Sequence, residues 1–336
     1  MAKNINLRSF ASMDWGGSNA RAGVVHMFSE LHGTKKVNAR TELVDETYVY
    51  FSTEGIQSIQ DVLRQSIGVA LSRFDGKCDG ISGCVASPVD DHRFVQNACN
   101  TKLLRDHKGF DLRKEIEEMF KIPAVVPNDL EAGLAGETTV GVLKGKKWAT
   151  LQNIGTGWGA SYLFNGFAVA AESGHIWLPG SDGEVECGCE RKDCAEARYS
   201  GGAIEKRVIE ECMARHIDIP QGMKPCAFAD QEVLKGEGWA LELYTSVAEA
   251  IGNIWGSNLN ICPEFTDIVY QGSFIERAMQ IEFFRQQVRE SMLARSMNPR
   301  RHENIIIQER GAPLHESGES LGTLYGNAVI ADQMIQ

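Results

Sequence analysis

The chain has 336 residues, enough for two domains of about 100–200 residues each, and its composition, 43% hydrophobic and 24% charged, is that of a globular protein. The 34 Lys and Arg against 45 Asp and Glu give a net charge of −11, which argues against nucleic-acid binding and against a polybasic membrane anchor. The sequence shows no apolar run of about 18 residues and no apolar signal core near its start, so we expect a cytoplasmic protein without a membrane span.

The first 85 residues predict three strands, a helix and a further strand. Apolar residues recur with helical spacing over residues 57–74, and residues 81–85 form a short apolar run. Residues 111–120 predict a helix with Asp111 as its N-cap, and a brief strand at 124–126 leads into Asn128-Asp129.

A second set of elements follows from about residue 148. Strands are predicted at 148–154, 160–164, 167–172, 267–270 and 304–307, and helices at 204–216, 241–255 and 278–293. Two α/β halves with a ligand between them are the simplest architecture. The glycine pairs lie between strands rather than between a strand and a helix, which excludes a dinucleotide-binding fingerprint, and no Walker loop is present.

Two glycine turns, about 140 residues apart, predict a pair of phosphate-binding loops. Glycine lets the backbone approach a phosphate with its N–H groups turned inward, and a hydroxyl adds a donor. An aspartate can also hold Mg²⁺, because this ion prefers oxygen ligands. Each turn alone is equally consistent with an ordinary hairpin. The residues are Asp14, Gly16, Gly17, Ser18 and Arg21 in the first turn and Gly155, Thr156 and Gly157 in the second.

Asn128 and Asp129 follow an apolar strand at the point where a helix begins. Ligands of α/β proteins bind at the carboxyl ends of strands, so Asp129 is a candidate general base and Asn128 a candidate for orienting the substrate. Taken alone, these two residues are explained better by a helix N-cap, a position that Asn and Asp both favour.

Three of the nine cysteines lie within eight residues, and a histidine precedes them. Three thiolates and one imidazole make a tetrahedral zinc site, and with four protein ligands the zinc would be structural. Burial of cysteines as apolar residues would scatter them instead. The ligands are His175, Cys187, Cys189 and Cys194. Glu172 and Glu196 flank the cluster and could accept hydrogen bonds from sugar hydroxyls, although each alone would pass for a surface glutamate.

Together these motifs resemble the ROK family of bacterial sugar kinases and sugar-responsive repressors, from Asp14 to about residue 331. Seven motifs of the family have counterparts in this chain. They are its phosphate motif, its Gly-Pro-Val-Asp turn, its Asn-Ala-Pro-Asn segment, its Asn-Asp pair, its second phosphate loop, its Glu-x-Gly-His motif and its cysteine signature. The corresponding segments are Asp14–Arg21, Ser87-Pro88-Val89-Asp90, Asn97-Ala98-Cys99-Asn100, Asn128-Asp129, Gly155–Gly159, Glu172–His175 and Cys187–Gly201.

The resemblance implies a two-domain α/β protein of the actin-like, hexokinase-like (ribonuclease H-like) ATPase fold, with the active-site cleft between its domains. We expect a small domain of residues 1–127 plus a returning helix at 321–336, and a large domain of residues 128–320. The resemblance also implies that Asp129 is the general base, and that Asn128, Glu172, His175 and Glu196 bind the sugar. ATP with Mg²⁺ would be the phosphoryl donor, zinc would be structural, and the chain would form a homodimer or homotetramer.

The predicted activity is therefore ATP-dependent phosphorylation of the 6-hydroxyl of a glucose-like hexose. Alternatives are a kinase for fructose, N-acetylmannosamine or N-acetylglucosamine, a non-catalytic sugar sensor on the same fold and, more weakly, an ATPase acting on proteins. Only 13 residues precede Asp14, and we therefore expect the kinase branch rather than the repressor branch.

Several positions depart from the family pattern. Glu190 and Asp193 stand where the cysteine signature has glycines. The segment 270–273, which includes Gly272 as a candidate nucleotide contact, replaces the family's glycine-rich adenosine loop.

Overall fold

The computed structural model describes residues 5–32, 35–96, 101–178, 180 and 184–335, without the side chains of residues 30–39. The chain divides into two compact units. Unit 1 comprises Met1–Lys147, Tyr162–Ala170 and Arg310–Gln336, and unit 2 comprises Trp148–Ser161 and Ala171–Glu309. The domain limits expected from the family resemblance stay predictions.

After an opening meander of three strands, strands and helices follow one another in mixed order along the chain. The strands are β1 Ile5–Trp15, β2 Asn19–His32, β3 Lys35–Ser52, β4 Gly80–Val85, β5 Val89–Asp90, β6 Phe94–Val95, β7 Phe110–Asp111, β8 Ala124–Val125, β9 Trp148–Ile154, β10 Trp158–Phe164, β11 Phe167–Ala171, β12 Asp267–Gln271 and β13 Ile306–Glu309. The α-helices are α1 Ile59–Leu63, α2 Val69–Ser72, α3 Lys102–Arg105, α4 Leu112–Phe120, α5 Asp129–Thr139, α6 Ala195–Tyr199, α7 Gly201–Ala214, α8 Pro225–Lys235, α9 Gly238–Ile261, α10 Ile275–Ala278, α11 Glu282–Arg295, α12 Pro299–His302 and α13 Gly322–Met334.

The main sheet of unit 1 has the strand order β3-β2-β1-β4-β8. The first three strands are antiparallel neighbours, as the opening hairpins predict, whereas β1, β4 and β8 run parallel. The carboxyl ends of β1, β4 and β8 therefore meet at one edge of this sheet. A small antiparallel sheet, β5-β6-β7, was not predicted.

The second five-stranded sheet has the order β11-β10-β9-β12-β13, with β12 parallel to both β9 and β13. Strands 148–154 and 267–270 are confirmed almost to the residue. Helix α8 was missed, although Pro225 at its start and Gly236 with a φ of 83° at its end are typical helix boundaries.

The predicted start of the helix over residues 278–293 is wrong. The chain forms the short helix α10, leaves helical geometry at Ile281, and begins α11 at Glu282. Ile281 is buried and extended, with φ −81° and ψ 115°. Because residues 275–293 are helical on both sides of this point, periodicity alone does not reveal the interruption.

Helices α5 and α13 of unit 1 touch through their backbones. A Cβ added at Gly326 would lie 1.7 Å from the carbonyl oxygen of Ala132, and one at Gly136 would lie 2.0 Å from that of Gly322. Only glycine permits this approach. The side chains of α13 then complete a buried apolar cluster with β1, β2 and α5, formed by Phe10, Val25, Ala132, Ala135, Leu324, Tyr325, Ala328 and Ala331 among others.

Several aromatic residues of unit 2 lie in its interior. Tyr244, Phe274 and Phe284 make mutual edge-to-face contacts with ring centroids 5.6–6.1 Å apart, and Trp255 is fully buried. These side chains therefore belong to the core. Among the described residues, no helix is both long and apolar enough to cross a membrane.

Candidate active site and metal centre

The first glycine turn joins β1 to β2 at the carboxyl end of β1. Asp14 and Arg21 lie opposite each other in the antiparallel register of the two strands. The Arg21 guanidinium donates from Nη2 at 2.5 Å and from Nε at 2.9 Å to Oδ2 of Asp14. Arg21 thus anchors the base of the turn.

A cavity of about 210 Å³ opens over this turn. Its lining includes Asp14, Gly16, Gly17, Ser18, Asn19, Arg21, Tyr50 and Glu319. Gly17 and Ser18 are exposed, and the backbone N–H of Gly16 donates to the carbonyl of Asn19 at 3.0 Å. The turn therefore presents Gly17 and Ser18 to the cavity, while the Gly16 N–H is engaged within the turn.

Two residues of this cluster were missed by sequence reasoning. The Thr323 hydroxyl donates to Oδ2 of Asp14 at 2.7 Å, and Glu319 approaches the Arg21 guanidinium at 3.4 Å. Both lie about 300 residues further along the chain, and no motif marks them. They occupy the start of α13 and the segment before it.

Asn128 is the N-cap of α5, and Asp129 is its first helical residue. The Asn128 side-chain oxygen accepts from the backbone N–H groups of Leu130 and Glu131, at 2.9 and 3.3 Å, and its amide donates to the Ser87 carbonyl at 3.0 Å. The capping interpretation is thus confirmed for Asn128. The half-buried Asp129 carboxylate lies beside the Leu130 N–H, 3.0 Å away.

Asp14 and Asp129 come from the same edge of the unit 1 sheet. Asp14 is the penultimate residue of β1, Cys84 lies near the end of β4 in register with Asp14, and Asp129 follows β8. Burial raises the pKa of the Cys84 thiol well above its usual range, and the Asp14 and Asp129 carboxylates raise it further. The Cys84 thiol therefore stays protonated beside the carboxylates of Asp14 and Asp129.

The motif at Ser87-Pro88-Val89-Asp90 lies next to this edge and supplies the Ser87 carbonyl that holds Asn128. The segment Asn97-Ala98-Cys99-Asn100, which the family resemblance also highlighted, lies outside the described residues.

The second glycine turn, between β9 and β10, packs against two further glycine sites in unit 2. The N–H groups of Gly201 and Gly202, at the start of α7, donate to the carbonyls of Gly155 and Thr156 at 2.7 and 3.2 Å. A Cβ at Gly201 would lie 2.5 Å from the Gly155 carbonyl oxygen. The structural role of Gly202 was not predicted.

Gly272 also contacts this turn. Its φ of 114° is open only to glycine, and a Cβ there would lie 2.6 Å from the Ile154 carbonyl carbon. Unit 2 therefore brings together four of the predicted nucleotide-binding residues, namely Gly155, Thr156, Gly157 and Gly272.

The four predicted metal ligands converge. Their donor atoms all lie within 4.8 Å of one another, with Cys187 Sγ 3.6 Å from His175 Nδ1 and Cys189 Sγ 3.6 Å from Cys194 Sγ. A tetrahedral zinc with Zn–S bonds of about 2.3 Å separates its sulfur ligands by about 3.8 Å, so the donor set fits this ion. Burial raises the pKa of the Cys187 thiol to about 12, and a bound cation would offset this cost of ionisation.

The departures at Glu190 and Asp193 fall on left-handed backbone. Glu190 has a φ of 68° and Asp193 a φ of 55°, which explains why glycine suits these positions. Asp193 is tied down by its side chain, since Oδ1 accepts from the Val185 N–H at 3.1 Å and from the buried Arg198 guanidinium at 2.6 Å. The hydrogen bond from Arg198 lowers the pKa of Asp193. Asp193 thus combines a strained backbone with a buried ion pair.

Glu172 and Glu196 lie beside the metal ligands. Oε2 of Glu172 is 3.9 Å from Nε2 of His175, and Oε2 of Glu196 accepts from the Trp158 N–H at 2.8 Å. Burial, together with the charge of Glu196, raises the pKa of Glu172 to about 7. Unit 2 therefore assembles two carboxylates and one imidazole, all predicted to bind sugar, around the cysteine cluster.

Comparison with known proteins identifies relatives of this chain. The profile of the ROK family matches residues 11–328. The glucokinase of Streptomyces coelicolor is 29% identical over 201 residues, which are 57% of this chain and 56% of that protein. The chain thus matches little more than half the length of this curated relative.

Solved structures match over nearly the whole chain at lower identity. The ROK hexokinase of Thermus thermophilus gives a TM-score of 0.70 at 18% identity, covering 97% of this chain and 99% of that one. A ROK family glucokinase from Streptomyces griseus, solved with glucose and AMPPNP, gives 0.64 at 19%, covering 98% and 100%. A ROK family transcriptional regulator gives 0.67 at 17%, covering 97% and 79%.

These matches define the fold as the two-domain actin-like ATPase fold, as expected from the sequence. The family profile covers residues 11–328, which include both glycine turns, the Asn-Asp pair and the cysteine cluster. The chain belongs to the ROK family.

Proposed function

We propose that the chain is an ATP-dependent sugar kinase that phosphorylates the 6-hydroxyl of a glucose-like hexose. The observation that carries the proposal lies within unit 1. The parallel strands β1 and β8 bring a glycine phosphate turn and a half-buried aspartate, Asp129, to the same sheet edge. Ligands of α/β proteins bind at such edges. The glucokinase relative and the S. griseus complex with glucose and AMPPNP support sugar and ATP as substrates.

Asp129 acts as the general base in this proposal. It accepts the proton of the sugar hydroxyl as that oxygen attacks the γ-phosphorus of ATP, and general-base help of this kind contributes about 10²–10⁴ in rate. Asn128, which caps α5, fixes the backbone from which Asp129 projects. The rest of the catalysis consists of positioning and charge neutralisation.

The glycine turns bind phosphate in this proposal. Gly17 and Ser18 supply donors in the first turn, and Thr156 and Gly157 supply donors in the second. Gly16 and Gly155, whose N–H groups donate within their own turns, let a phosphate approach the backbone closely. Asp14 would hold Mg²⁺, which neutralises phosphate charge when bound. Its Oδ2 accepts from Arg21 and Thr323, and its Oδ1 accepts the weak hydrogen bond of the Cys84 thiol at 3.6 Å, so Oδ1 is the oxygen it would offer.

Glu172, Glu196 and His175 recognise sugar hydroxyls in this proposal, and Asn128 is a further candidate contact. Zinc, when bound by His175 and the three cysteines, stabilises the fold of the loop that carries them. Because His175 lies near one end of residues 172–196 and the cysteines near the other, these four ligands would hold Glu172 and Glu196 close together when the metal is bound.

The test is ADP release with a panel of hexoses: glucose, fructose, mannose, N-acetylmannosamine and N-acetylglucosamine. We expect turnover with glucose, and a loss of about 10²–10⁴ in kcat for Asp129→Asn with an unchanged unfolding temperature. Asp106→Asn, at an exposed loop position, is the matched control. Full activity of Asp129→Asn, or no turnover with any of these sugars, would contradict the proposal.

A second candidate is a non-catalytic sugar sensor. The match to a ROK transcriptional regulator over 97% of this chain favours it. It predicts that sugar raises the unfolding temperature without any ATP hydrolysis. A measurable rate of ADP release that depends on sugar eliminates it.

A further inference from the structure

A histidine outside the proposed site contacts the chain on both sides of the proposed base. His92 lies in the loop of the hairpin formed by β5 and β6, at residues 91–93, which we call the His92 loop. Asp91 and His92 both have left-handed backbone, with φ of 52° and 50°. Two consecutive residues other than glycine in this region mark a strained turn, which persists only where its surroundings hold it.

The first contact is made by the backbone. The N–H of Val126, the residue after β8, donates to the His92 carbonyl at 2.9 Å. This hydrogen bond ties the His92 loop to the chain just before Pro127. It fixes the end of the strand that leads into Asn128 and Asp129.

The second contact is made by the side chain. His92 Nε2 lies 2.8 Å from Oε1 of Glu131, whose side chain is 9% exposed and lies in the first turn of α5. The hydrogen bond with Glu131 raises the pKa of His92, and the nearby charges of Glu131 and Asp91 raise it further. The pair is a charge-assisted hydrogen bond while the imidazole is protonated.

Residues 127–130 therefore lie between Val126 and Glu131, which are both hydrogen-bonded to His92. Asn128 is separately bound to Ser87 and caps α5. Asp129 projects from this short segment, so the direction of its side chain depends on the angle at which the chain passes from β8 into α5. His92 fixes that angle from both sides.

We propose that His92 is a positioning residue that holds the Asp129 carboxylate in the direction required for proton transfer; this inference rests on the proposed kinase function. His92 itself touches no reacting group. It acts through Val126 and Glu131. A displacement of about 1 Å at a reacting group can cost up to about 10² in rate, so loss of this attachment should lower kcat more than it changes either KM.

The test compares variants within the same hairpin. In His92→Ala we expect kcat to fall about tenfold while KM for sugar and ATP changes less than twofold. His92→Gln retains an N–H donor of similar reach and should recover most of kcat. Glu131→Ala should match His92→Ala, and the double variant should lose no more than either single variant, because both remove one interaction.

Arg93→Ala is the matched control. Arg93 is the next residue of the loop, and its guanidinium pairs with Asp111 at 2.6 Å rather than with α5. The Arg93→Ala variant should lower the unfolding temperature and leave kcat unchanged. A kcat of His92→Ala within twofold of the parent, or an equal loss of kcat in Arg93→Ala, would overturn the proposal.

Hydrogen exchange separates this inference from the proposed function. Amides of residues 126–131 should exchange faster in His92→Ala than in the parent or in Arg93→Ala, because the side-chain hydrogen bond between His92 and Glu131 is lost. If the parent turns over no sugar, the kinase proposal fails, and this exchange result alone decides whether His92 orders the segment. Unchanged exchange in His92→Ala refutes the positioning role whatever the activity.

Discussion

Gly174 is the position at which one added methyl group should disrupt the sugar and metal site together. It lies between Glu172 and His175, and a Cβ built on it would be 1.8 Å from the carbonyl oxygen of Trp158. Since Cβ contacts under 3.0 Å essentially never occur, Gly174→Ala must separate the two segments by at least about 1.2 Å. Trp158 also holds Glu196 through its N–H, so the displacement acts on both proposed sugar carboxylates.

The expected cost has two parts. Overpacking of this kind destabilises a protein by about 1–3 kcal/mol. A shift above 1 Å in groups that orient substrate can lower kcat/KM by about 10²-fold. We therefore expect Gly174→Ala to fold, with a reduced zinc content and a kcat/KM for sugar about 10²-fold below that of the parent.

Gly188→Ala is the matched control, because Gly188 lies between the ligands Cys187 and Cys189 and its Cβ would meet no atom within 4 Å. ADP release, zinc analysis and thermal unfolding are measured on both variants. Parent-like activity and zinc content in Gly174→Ala would refute the steric argument. An equal loss in Gly188→Ala would show that the loop tolerates no substitution, whatever its contacts.

Three further predictions follow from other parts of the molecule. Chelation of the metal, or Cys189→Ser, should remove one zinc per chain and lower the unfolding temperature, as followed by metal analysis and calorimetry. Because the pKa of Glu172 is about 7, its carboxylate gains its charge between pH 6 and 8; KM for sugar should fall as pH rises through this range, and Glu172→Gln should flatten the profile. Gly326→Ala should lower the free energy of unfolding by about 3 kcal/mol in urea, since its Cβ would meet the Ala132 carbonyl at 1.7 Å, whereas Gly238→Ala, with open space around its Cβ, should change it by less than about 1 kcal/mol.

The sequence predicted those features that local patterns determine. The meander of β1–β3 follows from strand patterning, and the metal cluster follows from the spacing of three cysteines, which places their sulfur atoms together once a compact loop forms. The left-handed φ at Glu190 and Asp193 is less visible in sequence, because neither residue type requires it.

Contacts between distant segments were beyond the reach of these patterns. Thr323 and Glu319 join Asp14 and Arg21 only because α13 packs on α5 through glycines. His92 likewise carries no motif, and its role depends on where a hairpin loop meets Val126 and Glu131. Such pairings are set by tertiary packing, which a single sequence does not display.

The discontinuous make-up of unit 1 has a consequence for biosynthesis. Every segment of unit 2 has been translated once Glu309 is reached, whereas unit 1 still lacks residues 310–336 and, with them, α13. Until that helix leaves the ribosome, Phe10, Val25 and Ala135 have no covering layer. Unit 2 should therefore be able to fold before unit 1 during synthesis, and unit 1 should remain a target for chaperones until residues 310–336 have emerged from the ribosome.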